Sequence, residues 1–557
     1  MLISLSSSSG GDISLSADGD IATGNLNSFS FSRNFLSSSS LSSSGGDINL
    51  SAGGEIRGEG NEGNAQVWTF SASEEGRRAG AGGTVILEAN AISGLEVITL
   101  SSAGQSADVQ IRGSGDSLEI SNLSLITSAQ VEIPDPNAPD NDEPVDFGGG
   151  LVFIPDPDDT ITLDTGNFGQ AGETTISSTG NLIFNDVVIQ SDANGDTDAG
   201  GVTLFSPGEI QLNRSRIDSN ANSSGDAGNI QITADAGITI QGLIVDEDGA
   251  ERPSGIFAST NNAGQGGSIR LTTPQLTLAD TAAIEATTST SARGGNLTFE
   301  APTALTIDNE GQISASTRGG GRGGDLVIST PESVTIRGNG ALVVETAGSG
   351  QQGNVTITTP TLTIQDNIQI SANATETATV PEPTSLSNDT TDPGGNFTVN
   401  ASQINLSGSS RLLAETQGSA PAGTLTLRPY NNDANLTIHF QDEAQISAST
   451  SGSSSGGDLI VNAPESVRIQ GEGQLNEEGQ LIVESRGDNS GRAGNLEVTA
   501  PLVVLDNGIE LTAESESGDG GGNVNFFVSD ALVLRRGSFI NAEATNASEG
   551  NGGNINI

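Results

Sequence analysis

Gly294-Gly295-Asn296-Leu297-Thr298-Phe299-Glu300-Ala301-Pro302 is the stretch that decides how this chain folds. After it come Leu305-Thr306-Ile307, then Ile313-Ser314-Ala315-Ser316-Thr317, then a glycine-rich turn from Arg318 to Gly323. The pattern then restarts as Gly323-Gly324-Asp325-Leu326-Val327-Ile328. Leu297 and Phe299 are apolar and Thr298 between them is polar, the alternation of a half-buried strand and not of a helix. Three short segments of this kind, a proline and a glycine turn make one unit of about 28 residues.

Working outward, the second glycine of the unit recurs at Gly200, Gly228, Gly267, Gly295, Gly324, Gly353, Gly395, Gly423, Gly457, Gly494, Gly522 and Gly553. The base step is 28 or 29 residues (Gly267 to Gly295, Gly295 to Gly324), and longer steps carry insertions. A fixed period of this size signals stacked repeats. Two and four residues after the glycine stand apolar pairs such as Ile269 and Leu271, Leu326 and Ile328, Phe397 and Val399. Seven residues after it stands proline at Pro207, Pro274, Pro302, Pro331, Pro360, Pro464 and Pro501, which suits a corner where a strand has ended. Asn or Asp often follows the glycine (Asn229, Asn296, Asp325, Asn354), the spacing for a side-chain ladder along a stack.

Strands this short cannot bury a face alone, but they can if each coil stacks in parallel on the next. The expected fold is therefore all-β, a parallel β-helix (β-solenoid) with three short strands per coil. Roughly sixteen coils at about 4.8 Å each give a rod of about 75–80 Å. Residues 1–130 read as irregular coils, 131–160 as an acidic Pro/Asp-rich insertion loop, and 161–557 as regular coils. Insertions at 243–254 and 471–480 fall between the second and third strands of their coils, and another at 373–393 follows a third strand. Both ends stop within the pattern, so the chain is expected to be an internal piece of a longer one.

Composition narrows the function classes. Only 33% of residues are hydrophobic and 3% aromatic, and the net charge is -50. Such values alone favour disorder, but a disordered chain does not hold apolar alternation in register over a dozen units. The acidity repels phosphates and argues against nucleic-acid binding. No apolar run reaches the length of a membrane-crossing helix. All 20 cationic side chains are Arg, and the absence of Cys excludes disulfides and thiolate metal sites.

Candidate chemistry is sparse. Asp158-Asp159, the only adjacent Asp pair, lies in the acidic insertion and not on a strand face. Glycoside hydrolysis needs two carboxyls held across a bond. The single histidine, His439, is directed outward by the alternation of Leu436-Thr437-Ile438-His439-Phe440. Trp68 reads as a packing residue. Arg486-Gly487-Asp488, an integrin-type triplet in a loop after Leu481 to Ser485, supplies the candidate interaction residues, although so short a motif also arises by chance. No catalytic residue, cofactor or metal ligand is expected, and the protein is not expected to be an enzyme.

The copies resemble the filamentous-haemagglutinin-like exoproteins of two-partner secretion, in particular the large cyanobacterial ones. The resemblance rests on Gly294 to Thr298, on Pro-Glu-Ser-Val at Pro331 to Val334 and Pro464 to Val467, on Ile-Ser-Ala-Ser-Thr at Ile313 to Thr317 and Ile446 to Thr450, and on Gly255 to Thr260. It is strongest over residues 200–557. It implies a right-handed parallel β-helix, exported through an outer-membrane β-barrel transporter and displayed or released as an adhesin-like rod. Its partners would be cell-surface or glycan ligands, and its location extracellular or on the outer-membrane surface. The Asn-Pro-Asn motifs of that family's secretion domain are not in this sequence. The competing expectation is a polysaccharide-acting β-helix enzyme, a lyase or glycoside hydrolase, which would need carboxylates from successive coils converging on one face.

Overall fold

The computed structural model describes the chain except for residues 1, 7–11, 24–25, 33–45, 59–64, 74–82, 102–107, 114, 128–131, 135–159, 163–170, 194–196, 223, 246–248, 262, 301, 348–351, 375–394, 418–420, 432, 472–479, 488–489, 517–520 and 545–552. Strands are the only regular elements among the described residues, and nearly all of them pair in parallel with the coil before and the coil after. Leu297, Leu326, Val355, Phe397 and Leu425 stand directly above one another in the first strands of five coils. The step from Val355 to Phe397 is 42 residues and that from Phe397 to Leu425 is 28, yet both span one rung. An insertion therefore leaves the coil without shifting its register. The chain is a parallel β-helix.

The ribbon of first strands runs from Ile13–Ala17 to Ile555–Asn556, and each of these two end strands pairs with one neighbour only. It is an open stack of 17 strands, not a closed barrel. Sixteen steps of about 4.8 Å make it about 77 Å long. The inward residues of successive coils form one continuous core: Leu297, Leu326, Ile328, Val355, Ile357 and Phe397 all have no accessible surface. Polar residues between them, such as Thr298 and Thr356, face out. This is how a chain with so few apolar residues folds: the inward apolar side chains of each coil meet their equivalents above and below.

Each signature residue has a physical reason. A Cβ on Gly324 would overlap the carbonyl oxygen of Gly295 one coil below, so the repeated glycine is required by close backbone stacking and not by a left-handed φ. The neighbouring Asn/Asp column is a ladder: the Asp325 amide donates to Asn296 Oδ1 at 3.0 Å, and the Asn354 amide and side-chain amide donate to Asp325 Oδ1 at 2.9 and 3.0 Å. The corner proline lacks an amide, but its carbonyl is used. Pro274 O accepts from the amides of Thr303 (2.7 Å) and Ala304 (3.2 Å) of the next coil.

Two features were not expected. In the early coils the second and third strands fuse into single long ones, Ala91–Ser101, Ser117–Ile126 and Asn181–Gln190. These bend at stacked left-handed residues, Gly94, Asn122 and Asp186, with φ of 63°, 48° and 56°. The fused form persists past the acidic insertion and gives way to separate strands at Glu209–Asn213 and Arg216–Asp218. A buried column also follows the third strands, running through Thr260, Thr288, Thr317, Thr346 and on to Ser515.

The acidic insertion lies almost wholly outside the described residues, but Glu132–Pro134 and Thr160–Thr162 at its two ends pair antiparallel. The insertion at 243–254 is a second antiparallel pair, Leu243–Val245 with Glu251–Pro253, between the second and third strands as expected. Of the other two insertions, 471–480 and 373–393, residues 472–479 and 375–393 lie outside the described residues.

Candidate functional site

The outer face of the third strands carries the most unusual chemistry. In Arg216–Asp218 the side chain of Ile217 enters the core, so Arg216 and Asp218 point away from it. Asp218 is nevertheless only 3% exposed. Its column continues through Phe257, Glu285 and Ser314 and later through Ser371, Leu413, Ser447, Ile482 and Thr512. Columns two residues to either side screen it, making a furrow whose floor is this line of side chains.

Between the coils of Asp192 and Glu285 three carboxyls gather: Asp218 and Glu285 lie in this column, and Asp192 stands in the next one beside Asn220. Arg216 Nε donates to Asp218 Oδ2 at 2.5 Å, and its guanidinium lies 3.7 Å from the Phe257 ring centroid, a cation–π contact. Asn220 Nδ2 donates to Asp218 Oδ1 at 3.2 Å, and the Asn220 amide donates to Asp192 Oδ1 at 2.6 Å. Burial pushes the Asp192 carboxyl up to about 7, with the Asp218 charge adding to it. Burial also raises Asp218 and Glu285, against the pull of Arg216. Three carboxyls from three coils thus share one face, and Arg216 acts on all of them, with Arg252 also pulling on Asp218 and Arg318 on Glu285.

This arrangement has a signed pH consequence. Asp192 binds its proton more tightly in the fold than in an unfolded chain, where its pKa is near 3.8. Its contribution is most favourable below that value and is lost as pH rises through about 7. Asp192→Asn, which keeps the shape without the charge, is therefore expected to raise the unfolding temperature more at pH 8 than at pH 4. Calorimetry of both proteins across that range checks it; an equal shift at both ends contradicts it.

The sequence candidates fall elsewhere. Arg486 follows the third strand Gln480–Ile482, with Nε 2.9 Å from Glu484 Oε2 and an amino group 3.9 Å from Glu415 Oε1. Gly487 adopts a φ of 96°, and its amide donates to Glu516 Oε2 at 2.7 Å. Asp488 lies outside the described residues, as do Asp158 and Asp159. The structure thus ties the triplet's arginine to the rod. His439 is half-buried on the outer face, beside the Gln470 amide at 2.7 Å, and burial lowers its pKa. Trp68 lies in the strand Ala65–Ser73, paired with Asn27 and Ile98.

Asp192, Asp218 and Glu285 were missed because no motif joins them. The signal for two of them was positional: Asp218 and Glu285, like Phe257 between them, stand ten residues before an anchor glycine (Gly228, Gly295, Gly267), whereas Asp192 stands eight before Gly200. Reading the chain by offset from the glycine, and not by neighbouring residues, would have found the column.

Among the described residues no three Asp, Glu or His side chains converge closely enough to hold a bare metal ion. No helix of the structure is long and apolar enough to cross a membrane. No family model, curated protein or solved structure matches the chain.

Proposed function

We propose that this protein is a secreted or cell-surface adhesin-like rod, making many weak contacts with surfaces, cells or glycans. The observation that carries this reading is the in-register repetition of short polar side chains on the outer faces. Thr356, Thr398 and Thr426 form one such line, and Gln211, Thr239, Thr277 and Thr306 another. A stiff array at about 4.8 Å spacing offers the same small hydrogen-bonding group many times over. Individually weak contacts gain through avidity, which multiplies affinity by about 100-fold or more when geometry allows simultaneous engagement. The resemblance to filamentous-haemagglutinin-like exoproteins supports the same reading and adds export through an outer-membrane β-barrel partner.

The test is sedimentation of the purified chain with cells and insoluble glycans, free and clustered on beads. Retention that rises about 100-fold or more on clustering is expected, with no release of sugar ends. Absence of retention in both forms contradicts the reading.

A second reading, a polysaccharide-acting enzyme, is favoured by Asp192, Asp218 and Glu285 lying on one face within four neighbouring coils. Against it, Asp218 is held by Arg216 and closed off from solvent. Turnover of any acidic or neutral polysaccharide that Asp192→Asn abolishes would favour this second reading.

A further inference from the structure

The Asn/Asp ladder beside the stacked glycines has a gap, and the gap opens into a groove. The residue after the stacked glycine is Asn229, Ser268, Asn296 and Asp325 in four successive coils, but Gly201 in the coil before them. In the ladder each amide donates to the side chain one coil earlier, as the Ser268 amide does to Asn229 Oδ1 at 2.9 Å. The Asn229 amide stands over Gly201, which has no side chain to accept from it. Stacking does not demand this glycine. A Cβ on Gly200 would overlap the Gly172 carbonyl oxygen, whereas one on Gly201 meets only the Asn229 carbonyl oxygen, at an ordinary 3.4 Å. Nor does Gly201 adopt a left-handed φ. Its missing side chain leaves open a place that any of the ladder residues would fill.

The opening belongs to a groove of about 500 Å³, within the usual range of small-ligand clefts. One wall is the glycine turn. There the Asp226 amide donates to Asp198 Oδ1 and the Gln265 amide to Asp226 Oδ1, both at 2.8 Å, and Gln265 Nε2 donates to Asp226 Oδ2 at 3.3 Å. Both carboxylates are thus fixed in place and keep lone pairs for a ligand. The other wall is the outer face of the first strands, with Thr203 and Gln231 in one column. Glu173 stands one coil before the gap. Two residues beyond Thr203 on the same strand face is Phe205, 45% exposed, with Ser177 and Thr233 as its neighbours in the column. Much of this aromatic side chain stays in water, where covering it would be favourable.

The groove therefore sets an open aromatic ring beside fixed carboxylate acceptors, side-chain amides and a backbone N–H without its ladder acceptor. A pyranose ring matches that set: its C–H face packs on an aromatic side chain, while its hydroxyls donate to carboxylates and accept from N–H groups. Charge narrows the class. Glu173, Asp198 and Asp226 line the groove and no arginine does among the described residues, so uronates and sulfated sugars are repelled. A polycation would suit the carboxylates but would leave the Asn229 N–H unmet.

We propose that the groove around Gly201 binds a segment of uncharged glycan, packed on Phe205 and held by Asp198 and Asp226. This rests on the glycan part of the rod reading and gives it one discrete site, which a soluble monovalent sugar can occupy without avidity.

The experiment titrates the full chain in a calorimeter with cellohexaose, mannohexaose and maltohexaose, and with hexalysine and hexagalacturonate for comparison. Saturable binding of at least one neutral hexasaccharide is expected, and none of hexagalacturonate. Gly201→Asn supplies the missing ladder acceptor, so it is expected to hold or raise the unfolding temperature while abolishing sugar binding. Phe205→Ala is expected to weaken binding about tenfold or more with the fold intact. Tighter binding of hexalysine than of any neutral sugar, or sugar binding unchanged in Gly201→Asn or in Phe205→Ala, overturns the proposal. Absence of neutral-sugar binding overturns it too; if clustered chains still hold insoluble glycans in that case, the groove falls and the multivalent rod stands.

Discussion

Leu326→Asp is expected to cost about 4 kcal/mol or more and to unravel the coils around it. Leu326 has no accessible surface and stands between Leu297 and Val355 in the core column. Truncation to Ala at such a site costs about 2–5 kcal/mol through lost burial and a residual cavity. Asp adds a carboxylate with no partner, which is charged at a desolvation cost or protonated at a pKa cost. Val327, the next residue, faces out, so Val327→Asp is expected to change stability by about 1 kcal/mol or less. Because each coil touches only its neighbours, the damage should be local first. Hydrogen exchange should show loss of protection in the flanking coils before the distant ones, with urea unfolding giving the total. Equal effects at 326 and 327 would contradict the inward–outward alternation.

Gly324→Val is expected to be about as severe, for a different reason. The Cβ would occupy the space of the Gly295 carbonyl oxygen, which is backbone and cannot rotate away. The two coils must separate, breaking the Asp325–Asn296 rung beside the glycine. Overpacking of this kind costs about 3 kcal/mol or more where the obstacle is main chain. Gly487 is the contrast. It has a φ of 96° and nothing within reach of an added Cβ, so Gly487→Ala carries only a torsional cost of about 1–2 kcal/mol. Urea unfolding of the two variants separates a glycine needed for space from one needed for its dihedral. The opposite ranking would sink the stacking explanation.

Those two sites show what was readable in the sequence. The apolar pairs, the spacing glycine, the Asn/Asp ladder and the corner proline repeat in type as well as in position, because each meets its own copy one coil away. A constraint that repeats leaves a repeated residue. The left-handed corners were unreadable for the converse reason: Gly94, Asn122, Asp186 and Arg214 all satisfy a positive φ, and four residue types at four copies make no pattern. The buried Thr column was present in the quoted Ile-Ser-Ala-Ser-Thr segments, where alternation from Ile313 through Ala315 carries Thr317 inward, but its polar side chain masked that position. Thr317 is 1% exposed although a polar residue at a strand's end ordinarily reads as surface.

The furrow lies between these cases. Its register was set by the glycine spacing, while its contents vary from Asp218 to Phe257 to Ser314 to Thr512, since nothing forces an outer-face column to repeat. That freedom is why its chemistry changes along the rod, from the arginine-bound Asp218 to Thr512 between Glu510 and Glu514. Function is expected in the column that varies, and architecture in those that do not.

The most direct test of the stacked coil uses the chain's lack of cysteine, which makes introduced thiols the only labelling sites. Thr298, Thr426 and Glu497 occupy one outward column, four and six coils apart by the chain of parallel pairings through Val327, Thr356, Thr398 and Ile460. Spin labels at Thr298→Cys with Thr426→Cys, and at Thr298→Cys with Glu497→Cys, should report narrow distributions centred near 19 and 29 Å, about 4.8 Å per coil however many residues each coil contains. Broad distributions, or separations that scale with residue count through the 42-residue step, would contradict the β-helix and everything built on it.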